Sequence, residues 1–321
     1  MRVFITGGTG SIGRRLVGAL KDRGDEPVIL SRDSDKTRRD PSLRGIKVVG
    51  GDPTKPGPWQ GEVNGCDAVV NLAGHNIFAG RWSAEIKRKI RDSRVQSADQ
   101  VVEAIRRAKA RPATLVQGTA VGFYGFDKGD EERTESSPSG SDFLAVVCRE
   151  LEAAASAAES LGVRLAMIRT GVVLARGEGA LGVMAPTFRW VPGGASPIGG
   201  GRQWISWIHA DDIVGLFLLA LDRADARGPI NGTAPEPARN ADFSRVLAGV
   251  LHRPFLPIGA PEGLLKLMLG EKAEVVTKGQ RVLPERARQL GYAFRYPGLA
   301  EALRAVFDGK AASPAAGVHV A

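Results

Sequence analysis

The sequence predicts an α/β fold: a doubly wound parallel sheet with helices on both faces and a smaller C-terminal lobe. Three observations predict it. Short apolar runs, most of them rich in β-branched residues, alternate with amphipathic stretches over the first two thirds of the chain. The first run leads straight into a glycine-rich turn that opens a helix. Beyond about residue 177 the alternation gives way to glycine- and proline-rich sequence and then to short helical patterns.

Six segments read as strands: Val3–Thr6, Pro27–Ser31, Ile46–Gly50, Ala68–Leu72, Thr114–Gly118 and Arg164–Ile168. Each is bounded by glycine, proline or charge. Helical patterns lie between them at Ser11–Arg23, Ser83–Ala110 and Asp142–Ser160. Strands alternating with helices imply a parallel sheet covered on both faces. Gly177–Gly201 shows little regular pattern. Trp204–Asp212 reads as an aromatic strand leading into a helix at Asp212–Leu221. From Asn231 on, short helical patterns are punctuated by Pro235, Pro254, Pro261 and Pro284. The expected division is therefore residues 1–170 with about 204–230 in one domain, and about 171–203 with 231–310 in a smaller lobe on the substrate side. The closing 311–321, mostly Ala, Ser, Pro, Gly and Val, reads as a disordered tail. There is no internal repeat.

Bulk properties exclude several classes. The 321 residues carry 43% hydrophobic and 25% charged side chains, a globular composition. There is no apolar run of about 18 residues, so no membrane span is expected. The N-terminus reads as a first strand and not as a signal peptide. Cys66 and Cys148 have no metal-type spacing, so neither a metal site nor a disulfide is expected, and a reduced cytoplasmic setting fits. The net charge is +9. It is spread along helical patterns, as at Lys87, Arg88, Lys89, Arg91 and Arg94, without interleaved aromatic residues. That is a solvated helix face, with an attraction for anionic small ligands, and not a nucleic-acid platform.

The strongest motif is Phe4-Ile5-Thr6-Gly7-Gly8-Thr9-Gly10-Ser11-Ile12-Gly13. It starts in a strand and ends in a helix, the context of a dinucleotide-binding Rossmann turn. Gly7 permits the tight turn, Gly10 lets the backbone approach a pyrophosphate, and Gly13 lets the helix pack close to the sheet. The N–H groups around Thr9, Ser11 and Ile12, at the helix start, are placed to receive negative charge. A P-loop is excluded, because Arg14-Arg15 stands where Lys-Ser/Thr is required.

The end of the second strand selects the dinucleotide. NAD enzymes place Asp or Glu there to hold the ribose hydroxyls. This chain has Ser31-Arg32, a hydroxyl and a guanidinium that suit a 2′-phosphate, so NADP(H) is the expected cofactor. Asp33 is a counter-signal one residue on, and Lys36, Arg38 and Arg39 add positive charge. Asp52 is placed to meet the adenine. Leu72-Ala73-Gly74, followed by His75, should lie along the cofactor.

With these motifs the chain resembles the short-chain dehydrogenase/reductase superfamily in its extended and atypical branches. More narrowly it resembles the epimerase-like family named for nucleoside-diphosphate-sugar epimerases, some members of which carry the label of cell-division inhibitor homologues. The resemblance spans Met1 to about Gly309. It rests further on Trp82, Ser93-Arg94-Val95, Ala120-Val121-Gly122-Phe123-Tyr124-Gly125, Arg169-Thr170-Gly171-Val172-Val173-Leu174, Gly201-Arg202-Gln203-Trp204, Ser206-Trp207-Ile208-His209 with Asp212, Asn231-Gly232-Thr233-Ala234-Pro235, and Gly279-Gln280-Arg281-Val282-Leu283-Pro284. The closing segment resembles that family's small C-terminal domain of unknown function.

The resemblance implies hydride chemistry beside a nicotinamide, with a tyrosinate as the proton relay, a lysine four residues on and a Ser or Thr after the fifth strand. Thr119 fits the last position. The Tyr-x-x-x-Lys pair is absent: aligned on Glu152, Leu144 and Cys148 take its places, and a shift of one gives Phe143 and Val147. Tyr124 is the substitute candidate for proton transfer. Cys148, Arg169, Gly171 and Val172 are expected beside the cofactor. Arg169 and Arg202 are candidates for holding an anionic substrate, with Gln203, Trp204 and Trp207 as walls and Arg281 as a lesser candidate. His209 and Asp212 read as a hinge and a helix cap. Two functions fit this pattern. One is an atypical NADP(H)-dependent oxidoreductase or epimerase-like enzyme acting on an unidentified small molecule. The other is a non-catalytic NADP(H)-binding redox sensor or regulator. No nucleic-acid or membrane partner is expected, and a homodimer is compatible with the sequence.

Overall fold

The computed structural model describes residues 1–126, 129–190, 195–259, 263, 267 and 270–308, the side chains of residues 183, 187, 189 and 190 excepted. The expected tail, 311–321, lies outside the described residues. The chain divides into two compact units. The first comprises Met1–Gly125, Ser137–Thr170 and Val214–Asn231, and the second Phe126–Ser136, Gly171–Ile213 and Gly232–Ala321.

The first unit is built on a seven-stranded sheet. Its strands are β1 (Arg2–Thr6), β2 (Glu26–Ser31), β3 (Lys47–Gly50), β4 (Ala68–Asn71), β5 (Thr114–Ala120), β6 (Arg164–Thr170) and β7 (Gly228–Gly232), in the order β7-β6-β5-β4-β1-β2-β3. Neighbours from β3 to β6 run parallel, with Ile5 opposite Ile29 and Val70, and Thr119 opposite Arg169. Strands covered on both faces need apolar side chains on both, which is why β1, β2 and β4 are buried along nearly their whole length. The helices are α1 (Ser11–Asp22), α2 (Ser34–Arg38), α3 (Ala84–Arg107) and α4 (Phe143–Ser156). Ser83 caps α3 through the N–H of Ile86 at 3.2 Å, and Asp142 caps α4 through that of Ala145 at 3.0 Å. One core joins Phe4, Trp59, Val101, Leu115, Leu151 and Leu165, with the Trp59 ring stacked on Phe4.

A buried cation closes the end of another helix, α6 (Ala210–Asp222). Arg164 donates to the carbonyls of Ala220, Leu221 and Ala226 at 2.7–3.1 Å and to the Thr114 hydroxyl at 2.8 Å. Carbonyls left unpaired at a helix C-terminus are thereby satisfied by a charge of the favourable sign.

The second unit has a separate core of Leu174, Phe188, Trp207, Phe243, Leu247, Tyr296 and Leu303. Val172–Leu174 pairs in parallel with Trp207–His209, Trp204–Ile205 pairs with Ala238–Arg239, and Arg281–Val282 with Glu132–Arg133. These pairings put Trp204–His209 in the second unit, whereas the sequence reading grouped 204–230 with the first. The stretch read as irregular, 177–201, contains a helix, α5 (Gly179–Trp190), which buries Leu181, Ala185 and Phe188 at helical spacing despite an internal Pro186. The predicted helix Asp142–Ser160 stops at Ser156, and a separate turn of 3-10 helix follows at Glu159–Leu161. No helix among the described residues is long and apolar enough to cross a membrane.

Candidate active site at the carboxyl ends of the strands

The turn after β1 is shaped by its glycines. Gly7 has φ +67°, and a methyl there would lie 2.5 Å from the Leu72 carbonyl oxygen, so only glycine fits. The Gly10 N–H donates to the Gly7 carbonyl at 3.0 Å. A methyl at Gly10 would meet only the Gly7 oxygen, at 3.3 Å, because the position faces an open cleft. At Gly13 the close approach is to the turn that leads off β1: a methyl there would strike the Gly7 oxygen at 2.3 Å and the Gly8 Cα at 2.7 Å, so glycine lets α1 start tight against it. Helix α1 starts from Gly10 with no side-chain cap and no acidic residue in its first turn. Such a terminus presents positive potential to an anion, and Ser11 and Ile12 are its first two residues.

The cleft encloses about 960 Å³. Gly7, Thr9 and Gly10 line it, together with the ends of β2 and β4, the loop after β3, and one face of α3. At the β2 end, Ser31 is buried and its hydroxyl meets Thr37 Oγ1 at 2.8 Å, so it braces the loop as well as lining the cleft. The Asp33 carboxylate accepts the Lys36 N–H and caps α2. Arg32 is exposed in the cleft wall and makes no ion pair among the described residues. Arg14 pairs with Asp40, and this contact together with hydrogen bonds from Ser42 holds the Asp40 carboxyl down at about 2. Asp52 accepts from the Thr54 N–H at 2.9 Å and hydroxyl at 2.7 Å. Desolvation raises its pKa, but the Thr54 bonds outweigh this and leave it below the ordinary value.

Leu72, Ala73, Gly74 and His75 line the β4 end. The His75 N–H donates to Ser93 Oγ at 2.9 Å, and its Nε2 is buried without a hydrogen-bond partner among the described residues. Thr119 Oγ1, at the end of β5, is also buried without a hydrogen-bond partner of normal geometry. The Cys148 thiol lies beside it, and burial, with the charge of Glu152, pushes that thiol up to about 11. Leu144 and Cys148, at the tyrosine and lysine positions of the resemblance, are both buried. The face of α4 that should carry the relay is thus apolar and uncharged at neutral pH.

Two expected site residues are engaged elsewhere. The Tyr124 hydroxyl, fully buried, donates to Asn231 Oδ1 at 2.7 Å and accepts from Arg169 Nη1 at 2.9 Å. Arg169 grips Glu152 with Nε at 3.0 Å and Nη2 at 2.7 Å, and its guanidinium lies 3.4 Å from the centre of the Phe123 ring. Every nitrogen of that fork is committed inside the fold, so Arg169 is not placed to hold an anionic ligand, nor Tyr124 to relay a proton.

The remaining candidates belong to the second unit. The N–H groups of Gly171 and Val172 are used by the carbonyls of Gly232 at 2.9 Å and Ser206 at 2.8 Å. A methyl at Gly171 would meet the Ser206 oxygen at 2.3 Å, so this glycine serves close backbone packing. The Gln203 amide donates to the carbonyls of Ile198 and Val276, both at 3.0 Å. Trp204 lies between Arg239 and Arg281, with its indole N–H on Asp130. Trp207 is buried, and Arg202 is exposed. Asp212 is not the cap of α6 but its third residue, and it accepts the backbone N–H groups of Arg295 at 2.7 Å and Tyr296 at 3.0 Å. His209 packs on the Tyr296 ring and accepts the Asp211 N–H. These two anchor the C-terminal segment.

One residue that the sequence reading left without a role is Arg94, whose guanidinium lies over Gly74 at the β4 end. The signal for it was the stretch Ser93-Arg94-Val95, set between basic residues of a helix face.

Comparison with known proteins agrees with this architecture. Residues 3–231 match the model of the NAD dependent epimerase/dehydratase family, and residues 260–306 match a domain of unknown function, DUF1731. The chloroplastic epimerase family protein SDR39U1 homolog of Arabidopsis thaliana is 45% identical over 314 residues, covering 96% of this chain and 87% of that protein. Epimerase family protein YfhF of Bacillus subtilis is 37% identical over 304 residues, covering 94% and 97%. The crystal structure of human epimerase family protein SDR39U1 (isoform 2) with NADPH superposes with a TM-score of 0.84 at 32% identity, over 97% of this chain and 100% of that one. By its glycine turn, its parallel sheet and these matches, the chain belongs to the NAD dependent epimerase/dehydratase family.

Proposed function

We propose that this protein binds NADP(H) across the ends of β2, β1 and β4 and is an atypical short-chain dehydrogenase/reductase, epimerase-like, acting on a carbonyl or alcohol substrate such as a sugar nucleotide. The carrying observation is the β2 end of the cleft. Arg32 and Lys36 line it, and the nearest acid, Asp33, lines it too with one carboxylate oxygen engaged as the cap of α2. In this reading the α1 terminus and Gly10 take the pyrophosphate, Asp52 faces the adenosine, and Leu72 to His75 flank the nicotinamide half. The cofactor supplies hydride exchange, and Thr119 offers a substrate oxygen its hydroxyl, which has only the Cys148 thiol beside it. The NADPH in the human relative's structure supports the choice of cofactor. A cytoplasmic setting belongs to the same proposal.

A second reading, a non-catalytic NADP(H) sensor, is favoured by one observation: Leu144 and Cys148 occupy the relay positions and Tyr124 is bound within the fold. Titration of the purified protein with NADPH and NADH tests the cofactor, and equal or tighter NADH binding would overturn it. A panel of carbonyl and sugar-nucleotide substrates, followed by NADPH absorbance, separates the two readings. Turnover supports the enzyme, and tight NADPH binding without turnover supports the sensor.

A further inference from the structure

Arg94 leaves α3 toward the sheet. Its Nη1 donates to the carbonyls of Ile90 and His75, both at 3.0 Å. The guanidinium lies flat against Gly74, where a methyl would come within 3.1 Å of its Cζ, 3.2 Å of Nη2 and 3.3 Å of Nε. Glycine at position 74 therefore makes room for this side chain. Among the described residues no carboxylate pairs with Arg94, and Nε and Nη2 have no hydrogen-bond acceptor from the protein. Burial disfavours its charge, yet a guanidinium stays protonated in proteins. A half-buried cation without a counter-ion is costly unless something answers it.

It is not alone. Among the described residues His75 Nε2, at the end of β4, is buried without a hydrogen-bond partner, and Thr119 Oγ1, at the end of β5, is buried against only the Cys148 thiol, on which Arg94 also acts. Three elements thus bring unanswered polar groups to the same end of the sheet. The strand order tells which part of a dinucleotide would meet them. β4 and β5 lie on one side of β1, and β2 and β3 on the other. A pyrophosphate on the turn after β1, with its 2′-phosphate at Arg32 beyond β2, sends the nicotinamide half over β4.

We propose that Arg94 binds the phosphate and ribose oxygens of the nicotinamide half of NADP(H), a positioning cation supplied from α3 where α4 carries no lysine. This rests on the NADP(H) reading above. The fork of an arginine, with Nη1 held by two carbonyls and Nε and Nη2 without an acceptor among the described residues, suits such paired oxygens.

The test is calorimetric titration of the full chain and of Arg94→Met with two probes: NADPH, and 2′,5′-ADP, which lacks the nicotinamide half. The expected result is NADPH binding weakened about tenfold or more, the scale of charged hydrogen bonds, with 2′,5′-ADP binding unchanged. Arg94→Lys, which keeps the charge without the fork, should fall between. NADPH affinity equal to wild type in Arg94→Met overturns the proposal. Equal weakening of both probes also overturns it, because Arg94 would then be holding the fold. A wild-type chain that binds 2′,5′-ADP but gains nothing from the nicotinamide half overturns it too. A wild-type chain that binds neither probe fails the NADP(H) reading itself and takes this one with it.

Discussion

The Asp33 carboxylate accepts the backbone N–H of Lys36 at 3.0 Å, so the acid nearest the end of β2 caps the start of α2 while lining the cleft beside Arg32. Arg32, one residue earlier, makes no ion pair among the described residues and stands in the cleft wall. Arg32→Ala is therefore expected to weaken NADPH by roughly 1–3 kcal/mol, the scale of a charged hydrogen bond, and to change NADH binding little. Fluorescence titration of both cofactors against both proteins measures this. A loss of the same size for NADH would place Arg32 on a shared part of the cofactor.

The glycine turn separates binding from folding at two positions three residues apart. A side chain at Gly10 meets little but the open cleft, so Gly10→Val should abolish cofactor binding while the thermal unfolding midpoint stays close to wild type. A methyl at Gly13 lands 2.3 Å from the Gly7 oxygen. Gly13→Ala should destabilise the first unit by roughly 1–3 kcal/mol, as overpacking does. Calorimetric melting with and without NADPH distinguishes the two. A Gly10→Val variant that folds and still binds would mean the cofactor does not use this turn.

These contrasts mark what the sequence made legible. Alternation of strands and helices, the turn from Thr6 to Gly13 and the caps at Ser83 and Asp142 are local, and local chemistry is written in consecutive residues. The roles of Arg169, Tyr124 and Asp212 depend on partners 17 to 107 positions away, at Glu152, Asn231 and Arg295. No spacing rule reaches across such loops, so a buried arginine fork and a ligand-binding one look alike in sequence. Helix α5 was missed because its glycines and Pro186 masked the 181, 185, 188 periodicity. Gly74 lines the cleft, and what requires glycine there is Arg94, twenty residues on, which no local pattern reveals.

Cys148 makes a pH prediction. Its thiol, ordinarily near 9.0, is moved to about 11, first by burial and then by the charge of Glu152. Folding thus excludes the thiolate. The stability this gives is complete below about pH 9 and is lost as pH rises through about 11, and two pH units correspond to on the order of 2–3 kcal/mol. Denaturant unfolding of wild type and Cys148→Ala between these pH values should show a steeper alkaline loss in wild type. Identical pH slopes would mean that Cys148 ionises freely in the native state.

Glu152 and Arg169 are both buried and joined by two hydrogen bonds. Removing one partner leaves the other charge without compensation, so Glu152→Ala should cost about 3–5 kcal/mol. Replacing both with apolar residues should cost less than the sum of the single changes. A double-mutant cycle on unfolding free energies gives the coupling, and additive losses would show that the pair is solvated in solution.

The proton relay supplies the sharpest test of the enzyme reading. Tyr124 is the phenol the sequence offers at the end of β5, yet its hydroxyl is fully buried between Asn231 and Arg169. Tyr124→Phe should therefore lower stability by roughly 2–4 kcal/mol, the scale of two buried hydrogen bonds, one of them to a charged group, and leave any turnover intact. With no phenol and no ammonium on α4, a proton has to come from water or from the substrate itself. Turnover on simple alcohols or sugar nucleotides should then run roughly 10²–10⁴ below that of a relay-equipped enzyme. Thr119→Ala, which removes the hydroxyl beside the Cys148 thiol, is expected to reduce whatever rate is found. Fast turnover that survives Thr119→Ala but collapses in Tyr124→Phe would show that the Tyr124 hydroxyl leaves its buried network during the reaction, and would return it to the role the sequence first suggested.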